Sequence, residues 1–190
     1  MRKRYITSRF LLSPLSLAIC LTLSLVLASH IAMSSPATGN DFVAKYVPSA
    51  QAVGKGRLSI LFWDVYDAVL LAPNGQWTAQ APFALSLTYL RDIDGRDIAD
   101  KSAEEIRDLG FDDEVKLAAW HNQMLNIFPD VKEGTTLTGI YAENGESIFF
   151  HRNKEIGRIS APDFGHYFFD IWLNTKTSAP QLRAKLLGQS

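Results

Sequence analysis

The chain has 190 residues, of which 47% are hydrophobic, with 19 basic and 20 acidic side chains; that suffices for one globular domain and an appendage. Beyond its first nine residues it has no basic stripe that would hold nucleic acid or an anionic lipid surface. Cys20 is the one cysteine, so a chain that loses its N-terminus has no disulfide, thiolate nucleophile or cysteine metal site, and rests on its core alone.

Met1 to Arg9 carries Arg2, Lys3, Arg4 and Arg9 without an acid, and Phe10 to Ala28 has no charge. This is the pattern of an export signal, with small residues at Val26-Leu27-Ala28 placing cleavage after Ala28. About 19 uncharged residues would also just cross a bilayer as an uncleaved anchor, but Ser13, Pro14, Ser16, Thr22 and Ser24 dilute the run. Removal of the four basic residues leaves 15 basic against 20 acidic residues, a net charge of −5. A periplasmic or secreted protein is expected, touching membrane only through this segment if it stays uncut. Residues 29–52 are rich in Ser, Pro and Ala, apart from Phe42 to Val47, and read as a tether with at most a short first strand. The globular domain is expected over 53–190.

Gly54-Lys55-Gly56 precedes a strand rather than a helix, so it cannot cradle a phosphate and suits a strand start or bulge. Arg57 to Leu71 reads as one long strand ended by Ala72-Pro73-Asn74-Gly75. Both of its faces are apolar, with Leu58, Ile60, Phe62 and Tyr66 on one and Leu61, Trp63, Val65 and Val69 on the other, so both must be covered. Phe83 to Arg91 alternates as a second strand. Ser102-Ala103-Glu104-Glu105 has capping-box spacing and predicts a short helix stopped by Gly110. Asp112 predicts the cap of a longer helix to Phe128 with Leu117, Trp120 and Met124 on its core stripe.

Thr135 to Tyr141 and Ser147 to His151 flank Glu143-Asn144-Gly145, a hairpin signal, and Glu155 to Ile159 returns after Asn153-Lys154. Helices follow at Ser160 to Trp172 and from Ser178 to Gly188. Strands, helices, strands and helices in that order predict an α+β fold, an antiparallel sheet with helices layered on one face.

Chemistry is sparse. His121, His151 and His166 are far apart and lack ligand spacing, so neither a metal nor a cofactor is expected. No serine stands in a nucleophile elbow. Asp64 and Asp67, three apart in a strand, should point to opposite faces unless a bulge intervenes. Arg57 at the strand edge, with Tyr66 and Tyr89 on apolar stems, could orient an amphiphile with a polar head; the same residues also fit a plain core with polar tips in solvent.

The run VGKGRLSILFWDVYDAVLLAP (Val53 to Pro73) resembles the chalcone isomerase-like family, with Gly-x-Gly, an Arg, and an apolar strand ending Val-Tyr-x-x-x-Leu. LTYLRDIDGRDIADKSAEEI, FPDVKEGTTLTGIYAENGESIFF and FFDIWLNTKTSAPQLRAKLLG resemble the same family, in its bacterial exported branch, from about Val53 to Gly188. The resemblance implies a large antiparallel sheet with helices on one face, in a family whose plant members are flavonoid-forming isomerases, fatty-acid binders and noncatalytic helpers. Matching on Val65-Tyr66 puts Leu61 where the isomerases carry a substrate-positioning threonine, and Ile98 falls on their tyrosine after the second strand. With both hydroxyls missing, little oxyanion stabilisation is left, since one lost donor typically costs about 10²–10³ in rate. The resemblance therefore implies a noncatalytic protein that holds an apolar or amphipathic ligand such as a fatty acid, with Arg57 pairing a carboxylate head and Trp63, Tyr66 and Tyr89 lining the site. An isomerase or lyase acting on a small unsaturated substrate, with Arg57 as electrophile, and an envelope interaction module without a pocket are the alternatives.

Overall fold

The structure is a computed structural model that describes residues 41–161 and 163–189; the expected export signal, its cleavage point and the first part of the tether lie outside these residues. Six strands, β1 (Ala50–Ile60), β2 (Trp63–Pro73), β3 (Phe83–Tyr89), β4 (Thr136–Tyr141), β5 (Ser147–His151) and β6 (Lys154–Ile159), pair in chain order as one antiparallel sheet. Four helices, α2 (Gly95–Asp108), α3 (Glu114–Ile127), α4 (Phe164–Leu173) and α5 (Pro180–Leu186), supply the helical layer. The fold is the α+β architecture that the order of elements predicted.

The long strand expected from Arg57 to Leu71 is two strands. Ile60 pairs with Trp63 across a turn at Leu61-Phe62, where Leu61 takes φ 56°. Two-residue hairpin turns favour Asn and Gly at such angles, and Leu-Phe carries no such signal. A second departure follows immediately: Ser59 pairs with Asp64 and Leu58 with Tyr66, so Val65 is an extra, bulged residue. A bulge reverses the side on which the preceding residue points, and it brings Asp64 to the same side as Asp67. The expectation that these two carboxylates face opposite ways is thereby corrected.

The sheet face toward the helices carries Ala68, Leu70, Phe83, Leu85 and Phe149, packed with Ile106, Trp120, Phe164 and Phe169 in one apolar cluster. The opposite face has its own smaller cluster. There Val43 and Val47, both fully buried, sit with Leu71, Ala84, Ile140 and Phe150. Val43 belongs to a single-turn helix, α1 (Asp41–Ala44), so this part of the stretch read as a tether is packed structure and β1 begins at Ala50. The rest of that face is polar, with Ser86 bonded to Thr138 at 2.8 Å and Thr88 to Thr136 at 2.9 Å across β3 and β4.

Helix α2 begins at Gly95, seven residues before the expected capping box, and the Gly95 N–H donates to the Asp130 carboxylate. Ser102 lies inside the helix, its hydroxyl returned to the Ile98 carbonyl at 2.7 Å, which is the other way a serine satisfies itself on a helix. The cap of α3 is Asp113 rather than Asp112, its side chain accepting from the Lys116 N–H. Gly54 and Gly56 admit α5: a Cβ on Gly54 would stand 2.1 Å from the Lys185 carbonyl oxygen, and one on Gly56 2.9 Å from Leu182. Gly54 also borders a register shift between Ala52 and Gly54, so the expected bulge and a close approach of backbones coincide here.

Candidate functional site

Between the sheet and the helices lies a cavity of about 1080 Å³. Its sheet wall is made by Leu85, Leu87, Leu137 and Phe149, its helical wall by Ile98, Phe168 and Trp172, and α5 contributes Leu182. Ser59, Ile60, Asp97, Lys101, Gln181 and Lys185 border it as well, so its polar groups are gathered on β1, α2 and α5. This sheet face had to be apolar to bury itself; the helices cover it without filling it.

Two phenols enter this apolar space. Tyr66 pairs with Tyr89 across β2 and β3, their rings 5.9 Å apart and edge to face. The indole Nε1–H of Trp172 donates to the Tyr66 oxygen at 2.8 Å, which leaves the Tyr66 proton free to donate elsewhere. No hydrogen bond joins the Tyr89 hydroxyl to another described residue. Burial pushes Tyr66 up to about 12, against the opposing pull of the Trp172 bond, with the charge of Glu105 adding to the rise. Burial, reinforced by Tyr66, raises Tyr89 as well. Both phenols therefore stay neutral and keep a proton to give.

On the α2 side of the wall the charged groups form an ion-paired cluster. Glu105 is buried and receives the Lys101 ammonium at 3.0 Å, one turn away, while Glu104 shares that ammonium at 3.1 Å. Partial burial works against the charge on Lys101, but its two carboxylate partners raise its pKa overall.

The residues expected to hold a ligand are only partly brought together. Tyr66 and Tyr89 line the cavity. Arg57 borders it, but alternation along β1 turns Leu58 toward the helices and the Arg57 side chain toward the other face, opposite Asp67. There its guanidinium is taken up by a bidentate bond to Asp67, at 2.7 and 2.9 Å, and a bond to Asp64 at 2.7 Å. The Asp67 and Asp64 bonds hold the guanidinium charged, and a ligand carboxylate or developing oxyanion would have to displace them. Trp63 stands outside the cavity on the exposed β1–β2 turn, with the Arg91 guanidinium 5.4 Å from its ring centre. Leu61 is also on that turn, so a missing hydroxyl there has no bearing on the cavity wall, whereas Ile98 does line it. Trp172, Lys101 and Glu105 were not singled out by the sequence. Trp172 sits on a core stripe like any other, and only the i,i+4 spacing of Lys101 and Glu105 hinted at a pair. His121 is occupied by Asp100, and among the described residues no three of His, Cys, Asp and Glu converge as a metal site.

An antiparallel meander backed by helices on one face, with an apolar cavity between the layers, is an open-faced α+β sandwich. The chain belongs to the chalcone isomerase-like family, whose model matches residues 53–188. Among solved structures it is similar to the fatty-acid binding protein AtFAP1 of Arabidopsis thaliana, at 11% identity and TM-score 0.57, over 74% of this chain and 87% of that one. No curated protein matches it.

Proposed function

We propose that this is an exported chalcone isomerase-like protein that binds a fatty acid or a similar amphipathic molecule in the cavity between sheet and helices, and does not turn it over. The observation that carries the reading is a cavity of about 1080 Å³ lined by Leu, Ile and Phe side chains and holding two phenols with unspent protons. Ligand sites commonly occupy about 300–1,000 Å³, mostly apolar with a few placed polar groups. Tyr66 and Tyr89 donate to the ligand's head, with Lys101 or Lys185 at the border supplying positive charge, and the hydrocarbon lies against Leu85, Leu87 and Phe168. The structural likeness to a fatty-acid binding protein supports this reading. Periplasmic or secreted location rests on the charge and hydropathy pattern of residues 1–28.

Native mass spectrometry of delipidated protein with added palmitate tests it, alongside thermal denaturation. One bound molecule is expected, and saturation at about a hundredfold over Kd should add about 2.7 kcal/mol of stability, read as a rise in Tm. Leu85→Trp, which fills the cavity, should abolish both signals. Absence of bound palmitate, with no shift in Tm, overturns the proposal.

A further inference from the structure

Four of the five large apolar side chains exposed among the described residues stand together on the β1–β2 turn: Ile60, Leu61, Phe62 and Trp63, with Leu61 87% and Phe62 99% exposed. The turn itself does not call for them. Leu61 adopts φ 56°, a left-handed conformation that Asn or Gly would take at less cost. Apolar residues therefore occupy the most protruding positions of the hairpin against the preference of its backbone. Ile60 also borders the cavity, and its strand partner across the turn is Trp63.

We propose that this hairpin tip is a membrane-docking wedge, inserting Leu61 and Phe62 among the acyl chains of a lipid bilayer with Trp63 at headgroup level. The shape favours a bilayer over a protein. A stable protein interface takes about 800 Å² from each partner, and a four-residue finger, whose aromatics supply about 150–250 Å² each at most, falls short of that. A bilayer needs no matching surface and accepts Phe and Leu in its interior and Trp at its boundary. Charge around the tip fits an uncharged lipid surface. Arg57 and Arg91 balance Asp64 and Asp67, three of the four tied together by the Arg57 bonds and the fourth, Arg91, resting over Trp63. Insertion of the tip brings Ile60, and with it the border of the cavity, against the membrane. The inference goes beyond ligand binding and does not depend on it.

Residues 29–190, the chain left by the expected cleavage after Ala28 and without the N-terminal hydrophobic run, are mixed in ligand-free form with phosphatidylcholine vesicles and sedimented. Binding is expected without anionic lipid and with little salt dependence. Leu61→Ser/Phe62→Ser should weaken partitioning by at least about tenfold, since each side chain gives up a large apolar transfer term, with unchanged circular dichroism. Val115→Ser on α3, the fifth exposed apolar side chain, should leave binding as it is. Failure of the unaltered protein to sediment with vesicles, or equal sedimentation of the tip variant, overturns the proposal. So does concentration-dependent self-association without vesicles that the tip variant abolishes, because the wedge then serves a second copy of the chain.

Discussion

Trp172 donates its indole N–H to Tyr66 inside the cavity wall, and Trp172→Phe keeps most of the ring while removing that donor. The loss should cost about 1 kcal/mol, the usual net worth of such a bond, seen as a lower urea midpoint at unchanged slope. The two phenols predict an alkaline signature too. Both have folded values raised above the ordinary one, so the stability they contribute is complete below about pH 10 and is lost as pH rises through their folded values. Ultraviolet titration should find Tyr66 and Tyr89 still un-ionised at about pH 11 in the native protein and ionised once urea unfolds it; equal ionisation in the native and the unfolded protein at that pH would count against a buried cavity wall. The sequence made these tyrosines visible because alternation put both hydroxyls on one apolar face. It could not reveal what Arg57 binds, since the bulge at Val65 that turns Asp64 toward it leaves no mark in residue type.

The contact between α5 and β1 rests on two missing side chains. Gly54→Ala would place its Cβ 2.1 Å from the Lys185 carbonyl, and backbone cannot swing aside as a side chain can, so the helix must move. A loss of about 1–3 kcal/mol is expected from such overpacking, measured by denaturation. Because Leu182 and Lys185 of α5 also border the cavity, a displaced helix should weaken palmitate retention beyond the loss of stability. Equal retention at lower stability would mean that α5 does not close the cavity. At this scale legibility followed turn chemistry. The β4–β5–β6 meander was readable because Asn144-Gly145 marks one reversal, with Gly145 at φ 84°; the next, read at Asn153-Lys154, lies one residue earlier at Arg152-Asn153, where Arg152 takes φ 56° and Lys154 already belongs to β6. The β1–β2 reversal was not, because its residues are Leu and Phe. The start of α2 was misplaced because Ser102 and Glu105 imitate a capping box while actually serving Ile98 and Lys101.

For the molecule as a whole, the sheet and its apolar face were legible, but the cavity was not: Leu85, Phe149 and Phe168 carry the same signal whether a core is full or hollow, and only the fit of helices to sheet decides which. Stability against acid is a property of the same scale, because it sums over scattered ion pairs. Asp64 is lowered by Ser59 and Arg57, Asp67 by Arg57, Asp92 by Lys132 and the Glu133 N–H, Glu114 by Arg107, and Glu146 chiefly by Asn144 and Ser160. A carboxylate whose folded value is depressed stabilises the fold fully above its unfolded value, and that contribution disappears as pH falls through the folded value. Each of these pairs is exposed and weak singly, yet all change in the same direction. Tm should therefore hold between about pH 7 and pH 5 and fall progressively below about pH 4. Molar salt should flatten the fall, because exposed pairs are screened within about 3 Å at 1 M. Arg57→Gln, which frees both Asp64 and Asp67, should make the acid side of the curve shallower than that of the unaltered protein. An unchanged acid slope in this variant would mean that the Arg57 cluster has no share in acid stability.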